Sequence, residues 1–249
     1  MSALVLALIC GAVVGIALGA LGGGGSVLAV PALIYLLGFT PAAATTAGLI
    51  IVTATSLTAL YAHARSGNVR WRAGALFAAA GLLPAAAAGA AASRLPQAVL
   101  TATFAAVAAL AAVRMLRPGR ASTGRMPVVH PTKAAGAGAG LGALTGLLGV
   151  GGGFLAVPAL VTVLAFEMQA AVGTSLLVIS ANSLASLATR GATTAGIDWA
   201  VVGPFAGAAI LGVRDGKRLA AKVTGPLLQR TFAVVLLAVA AFMLVDGLT

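Results

Sequence analysis

Two glycine runs are the part of this sequence best suited to bind a ligand without charged side chains. The first, GGGGSVLAVPAL, covers residues 22–33, and the second, GVGGGFLAVPAL, covers residues 149–160. Consecutive glycines disfavour helix, so we expect the backbone to break at each run and a short helix to begin near residue 26 or 154. The amides freed there, with the positive end of the next helix, form an anion site. The alternative is a kink that only lets helices cross closely.

Polar side chains on the apolar segments that follow add hydrogen-bonding groups to such a site. They fall on one face of each segment. In the second half they are Ser175, Asn182, Ser186 and Thr189, and in the first half they are Thr46 and Thr53, with Ser56 at the edge of the face. A hydroxyl in a helix can instead bond the carbonyl four residues back. Asn182 is the strongest candidate, because an amide inside a membrane is costly without a partner.

Three further residues stand at the ends of these polar segments. His63 and Arg65 end the first one, and Arg190 aligns with His63 in the second half. They are candidates for a cationic mouth through which an anion enters. The alternative is that they are ordinary residues of the membrane interface.

The elements that carry these residues are too apolar for water. The 249 residues are 61% hydrophobic and 8% charged, against roughly 25% charged in soluble domains. Residues 1–62, 73–93 and 231–245 contain no Asp, Glu, Lys, Arg or His. Each run approaches or exceeds the roughly 20 residues that cross a bilayer as a helix. A soluble helical bundle would need charged outer faces. The sequence therefore predicts an all-α polytopic membrane protein.

The chain repeats itself with an offset of 127 residues. This offset lays Gly11, Gly15 and Gly19 on Gly138, Gly142 and Gly146, and lays Pro31 on Pro158. We predict about eight transmembrane helices in two homologous four-helix repeats, 1–116 and 134–249, each with a Gly-broken first helix. A basic loop, 117–133, joins them. The spans are 3–21, 42–63, 73–93, 97–116, 134–148, 169–189, 198–213 and 228–246, with short apolar pieces at 26–37 and 154–165. Glycines four residues apart favour close helix packing in lipid.

The positive-inside rule gives a first orientation. Placing the basic loop 117–133 inside puts both termini inside, and the basic segment 214–230 is then an exception on the outer side. Four crossings per half imply parallel repeats. Short pieces that return across the membrane would change this parity.

Several function classes are excluded. The net charge of +11 comes from bases between apolar spans, without the interleaved aromatics of a nucleic-acid surface. Cys10 is the only cysteine, which leaves no intrachain disulfide and no cysteine zinc site. The four acids lie near span ends, which argues against a cation carrier, and no catalytic set is present. We expect no enzyme, no metal and no cofactor. The expected partners are a small anion and the lipid bilayer, with a homo-oligomer left open.

The two motifs, 21–33 and 148–160, resemble those of the TauE/SafE sulfite exporter family, also called the TSUP membrane permeases. Gly173-Thr-Ser, Asn182-Ser183 and Gly196-Ile-Asp-Trp support the resemblance. The resemblance implies seven to eight spans and transport of small sulfur-containing or organic anions. It carries over as substrate-binding residues Gly24, Gly25, Pro31, Gly151, Gly152, Gly153, Pro158, Thr174 and Ser175. Where the second half has Gly173-Thr-Ser, the first has Thr46-Ala-Gly, so the site is expected to be asymmetric.

These observations predict a secondary transporter for anions of the sulfite, sulfonate or sulfoacetate type. Export through the plasma (inner) membrane is the economical direction, since an anion leaves a negative interior downhill by about 2.3 kcal/mol per charge per 100 mV. Two alternatives remain: an anion uptake permease, and a non-transporting membrane scaffold subunit.

Overall fold

The computed structural model describes residues 3–92, 97–116, 131–148, 153–190 and 198–246, where all regular structure is helical. A 3-10 turn, Gly22–Gly25, joins the first two helices, and a π-helical turn, Ala32–Leu36, extends the second. The helices are α1 Ala3–Leu21, α2 Ser26–Pro31, α3 Pro41–Ala64, α4 Trp71–Ala92, α5 Gln97–Leu116, α6 Pro131–Leu148, α7 Gly153–Thr162, α8 Met168–Arg190, α9 Trp199–Lys222 and α10 Gly225–Asp246.

Five of these helices are long and apolar enough to cross a membrane: α1, α3, α4, α8 and α10. The chain is therefore a polytopic membrane protein. The expected spans 3–21 and 97–116 coincide with α1 and α5. Helix α9 differs from its expected span, because it continues nine residues beyond residue 213 and carries the basic segment that seemed out of place.

The glycines of α1 bring its backbone against α9. A Cβ atom at Gly11, Gly15 or Gly19 would run into the backbone of Phe205, Ala209 or Val213, respectively. The contact positions rise together along both helices, so α1 and α9 are parallel. Only a residue without a side chain permits such an approach, and the expected role of these glycines in helix packing is confirmed.

Helix α6 packs against α4 in the corresponding way. A Cβ atom at Gly138 would meet the backbone of Phe77, and one at Gly142 would meet Gly81. Phe77 follows Trp71 by six residues, as Phe205 follows Trp199. The first long helix of each sequence half therefore packs against a helix of the other half, in parallel and at matching positions.

Helices α3 and α8 run in opposite directions where they cross. Ser56 of α3 contacts Ser180 of α8, while Asn68, beyond the end of α3, lies against Gly173 near the start of α8. The parallel order expected for the two halves does not hold for this pair. The reason is that the short segments return across the molecule, which was the alternative that the sequence left open.

The first return is visible in how α1 and α3 lie. Their C-terminal ends meet where His63 contacts the Gly19 carbonyl, and their N-terminal parts share a buried cluster that contains Ala7 and Ala44. These two helices are therefore parallel. Residues 22–40 must carry the chain back from one end of the molecule to the other.

The helix directions gather the basic residues at one end of the molecule, here called the basic end. Helices α3, α5 and α9 end there, and α4, α6, α8 and α10 begin there. Contacts between Lys217 and Ala62, and between Gln229 and Met115, fix this common level. Within the described ranges the basic end holds Arg65, Arg70, Arg72, Arg114, Lys133, Arg214, Lys217, Arg218, Lys222 and Arg230.

Candidate functional site

The first glycine run breaks the backbone beside α8. Gly22 has a φ of +64°, a conformation that favours glycine, and a Cβ atom there would lie 2.8 Å from the Ser175 hydroxyl. The Gly23 N–H donates to Ser175 Oγ at 3.4 Å, and Ser175 Oγ donates to the Val172 carbonyl at 2.8 Å. A fully buried hydroxyl of the second half thus accepts a hydrogen bond from a backbone amide at the point where the helix breaks.

The residues before Ser175 contact the loop that follows α3. The Arg70 N–H donates to Thr174 Oγ1 at 3.1 Å, and Thr174 is fully buried. A Cβ atom at Gly173 would meet the Asn68 carbonyl at 2.5 Å, which explains why this position has no side chain. The segment 173–175 therefore lies between the first glycine run and the loop that carries Arg70.

His63, near the C-terminal end of α3, lies against the C-terminal end of α1. Its side chain is 4% exposed, and its Nε2 lies 3.3 Å from the Gly19 carbonyl. Among the residues that the structure describes, Nδ1 has no hydrogen-bond partner. With Nε2 as the donor to Gly19, Nδ1 retains a lone pair that can accept a proton or a hydrogen bond.

Lys217 of α9 covers the end of α3. Its Nζ donates to the Ala62 carbonyl at 2.5 Å and to Ser66 Oγ at 2.6 Å. Lys217 lies beyond the expected span 198–213. The pKa of its ammonium is lowered, first by burial and second by the nearby charge of Arg65. Beside it opens a pocket of about 260 Å³, lined by Ala62, Arg214, Lys217, Arg218 and Ala221. Positive charge thus lies next to the helix end that carries His63.

A second polar contact lies deeper, between α3 and α8. Ser180 Oγ donates to Ser56 Oγ at 3.0 Å, and both side chains are buried. Sequence reasoning selected Ser56 but missed Ser180, although the 127-residue offset pairs Ser180 with Thr53 and could have identified it. Thr53 itself bonds the Leu49 carbonyl of its own helix at 2.6 Å, which is the structural alternative named for such hydroxyls.

The remaining candidates from the first half lie along the broken segment. Gly24 and Gly25 form the 3-10 turn, against which α7 packs. Pro31 ends α2 and is half-buried, as is Thr46 on α3.

The second-half candidates are less completely described. Gly153 begins α7, and Pro158 lies buried within it, with its carbonyl accepting from Thr162 at 2.7 Å. Gly151 and Gly152 lie outside the described residues. Asn182 is on α8, and its Oδ1 is buried without a partner in the described part of the chain.

The three residues expected at a cationic mouth do not come together. Arg65 is exposed at the basic end, where it donates to the Tyr61 hydroxyl at 3.4 Å. Arg190 ends α8, seventeen residues or about 25 Å along the helix from Gly173, and thus at the opposite end of the molecule. Their alignment in the repeat failed to place them together because α3 and α8 are antiparallel.

Glu167, Asp198 and Asp246 stand at helix ends, while Asp215 lies within α9 at the basic end. Asp198 caps α9 by accepting from the Ala200 N–H at 3.0 Å, and exposed Asp215 lies 3.5 Å from Arg218. Within the described ranges no three His, Cys, Asp or Glu side chains group in a way that could hold a metal ion. The arrangement offers backbone N–H groups, hydroxyls and peripheral cations, which suits the binding of an anion.

Comparison with known proteins gives consistent matches over almost the whole chain. The family described as "Sulfite exporter TauE/SafE" matches residues 7–243. A relative from Xylella fastidiosa strain 9a5c, named "Probable membrane transporter protein", is 34% identical over 243 residues, which cover 94% of this chain and 92% of that protein. A protein of the same name from strain Temecula1 is 33% identical with the same coverage. No solved structure matches the chain significantly.

Proposed function

Because the chain belongs to the TauE/SafE sulfite exporter family and is a membrane transporter rather than an enzyme, we propose that its substrates are small sulfur-containing or organic anions. Sulfite, sulfonates and sulfoacetate are examples of this class of anion. Polar groups that bear no negative charge surround the first backbone break. A small oxyanion can replace the bonds that those groups make with one another.

The observation that carries the proposal is the bond from the Gly23 N–H to Ser175 Oγ. Ser175 presents to this amide the kind of oxygen acceptor that an oxyanion would present. Substrate would take over the Gly23 N–H, with further bonds from Ser175 and Thr174. The other residues of the proposed site are Gly24, Gly25, Pro31, Thr46, Ser56, Gly151, Gly152, Gly153, Pro158 and Asn182.

The proposed architecture is two inverted halves, each with four long helices and one short, glycine-led helix. Two observations support this architecture. Helix α1 packs in parallel against α9 as α6 packs against α4, and α3 crosses α8 in the antiparallel direction. Inverted repeats of this kind build transporters whose site lies between the halves and is opened alternately to each side. The two halves correspond to residues 1–116 and 134–249, with the loop 117–133 between them.

The proposed direction is export through the plasma (inner) membrane, with the basic end facing the cytoplasm. Ten basic residues of the described chain lie at that end, and Arg190 lies at the other. In this orientation the bias follows the positive-inside rule, and α1 begins and α10 ends on the outer side, whereas the sequence led us to expect both termini inside. A positive cytoplasmic face also concentrates anions where export begins.

Counterflow tests transport of these substrates against the scaffold alternative. Proteoliposomes loaded with unlabelled sulfite should accumulate labelled sulfite from outside, because a carrier exchanges one for the other without net driving force. Unlabelled sulfoacetate inside should support the same accumulation. Folded protein that accumulates no labelled sulfite above empty liposomes with either internal anion would contradict the proposed substrates, and a scaffold would behave in this way.

A further inference from the structure

The pocket at the basic end concentrates positive charge on one face of α9. Arg214, Lys217 and Arg218 are spaced three and four residues along the helix, and all three line the 260 Å³ pocket. The nearest acid in sequence, Asp215, lies 3.5 Å from Arg218, so one carboxylate stands against three cations. Lys217 already bonds Ala62 and Ser66, while Arg214 and Arg218 remain exposed.

The same face of α9 carries an exposed apolar strip that runs from the charged level toward the start of the helix. Gly207 lies seven residues before Arg214, and Gly203 lies one further turn away. Both are exposed, and no described atom comes within 4 Å of where their Cβ atoms would be. They differ in this from Gly212 and Gly216 on the opposite face, whose Cβ atoms would meet the backbone of α1.

A large exposed side chain borders this strip. Leu211 of α9 is 67% exposed and lies about one turn before Arg214. Glycine within a helix costs stability relative to alanine, and no described neighbour requires the two glycines of the strip. The missing side chains leave a shallow groove that is wide enough for one apolar chain. The strip leads directly to the cations.

We propose that this pocket binds the head group of an anionic phospholipid, with one acyl chain lying along Gly203 and Gly207. Charge complementarity selects this occupant, because three cations at the end of an apolar strip match a phosphodiester attached to a hydrocarbon chain. Basic pockets between membrane helices on the cytoplasmic side bind anionic head groups in this way. The site does not depend on which anion the protein transports.

Binding of short-chain lipids to the detergent-purified full chain tests the proposal by native mass spectrometry. Dihexanoyl phosphatidylglycerol should bind the wild type at least tenfold more tightly than dihexanoyl phosphatidylcholine. Glycerol phosphate, which has the charge without the acyl chains, should compete at least tenfold more weakly than the anionic lipid. The double variant Arg214→Gln/Arg218→Gln should lose the preference, while Lys222→Gln/Arg230→Gln, changed at the same end but outside the pocket, should keep it.

The strip is tested separately by Gly207→Leu, which fills it and leaves all three cations. This variant should weaken phosphatidylglycerol binding severalfold. Equal binding of both lipids to the wild type would overturn the proposal, whatever the folding of any variant. Full competition by glycerol phosphate would instead indicate a site for a soluble anion, and binding by dimers alone would indicate a contact between copies. Either result would also overturn it.

Discussion

The Ser175 hydroxyl oxygen lies 3.4 Å from the Gly23 amide nitrogen, so a residue of the second half satisfies the backbone of the first. Ser175 also donates to the Val172 carbonyl of its own helix, which fixes the direction of its proton. The lone pairs of Ser175 therefore face the broken segment. This contact links the two halves at the point where the backbone leaves helical geometry.

Replacing Ser175 by alanine should reduce flux at least tenfold while the protein remains folded. The change removes the Ser175 oxygen that accepts from the Gly23 N–H, and a typical hydrogen bond contributes about 0.5–1.5 kcal/mol to stability. Initial flux in proteoliposomes and thermal stability in detergent measure the two effects. Thr55→Val is the matched control, because it removes an equally buried hydroxyl that bonds carbonyls of its own helix and lies outside the proposed site. Equal flux losses in both variants would contradict a special role for Ser175.

Gly22→Ala should destabilise the protein more than Gly67→Ala does. Both glycines have positive φ, of +64° and +70°, so alanine pays a similar backbone penalty of roughly 1–2 kcal/mol at each. Only at Gly22 would the new methyl group also meet another segment, at Ser175 and Val172. Thermal unfolding of the two purified variants measures the difference. Equal stabilities would mean that α8 does not approach the break this closely.

Gly15→Ala should loosen the contact between α1 and α9. Its methyl group would collide with the Ala209 carbonyl, and overpacking of this kind typically costs about 1–3 kcal/mol. Gly142→Ala should cost a similar amount, because its methyl group would collide with Gly81. Gly140→Ala on the same α6 meets no described atom and should be neutral or stabilising by up to about 1 kcal/mol. If Gly140→Ala lowered the unfolding temperature as much as Gly15→Ala and Gly142→Ala do, this packing would be refuted.

Cysteine labelling should place the basic end in the cytoplasm. In a Cys10→Ala background, Thr224→Cys lies between α9 and α10 at the basic end, and Ala200→Cys lies at the opposite end of α9. An impermeant maleimide added to intact cells should label Ala200→Cys and leave Thr224→Cys unlabelled until the cells are opened. The reverse pattern would invert the orientation and undermine export from the basic face.

The sequence was sufficient to predict most helices and the role of the spaced glycines. Alanine, leucine and glycine in long uncharged runs require helix in a bilayer, which fixed α1 to within a residue. The spacing of Gly11, Gly15 and Gly19 required a packing face, which the structure confirms. The partner helix was not predictable, because a face of small residues accepts any helix backbone.

The course of the chain after the glycine run was harder to predict. A break at Gly22 permits either a continued crossing or a return, and local sequence does not distinguish them. The return makes α8 antiparallel to α3, brings the basic segment of α9 to the same end as Arg65, and separates Arg190 from both. The basic residues of α9 carried the relevant signal, since they were the exception to the positive-inside rule in the orientation expected from the sequence.

The most direct test of the proposed function is anion flux under an imposed membrane potential. Proteoliposomes loaded with sulfite or sulfoacetate would receive a negative interior from a potassium gradient and valinomycin. Saturable, voltage-driven loss of the anion, absent from empty liposomes, is the predicted result. Retention of every tested anion by folded protein would contradict the account, and loss that requires a proton or sodium gradient would contradict uncoupled export.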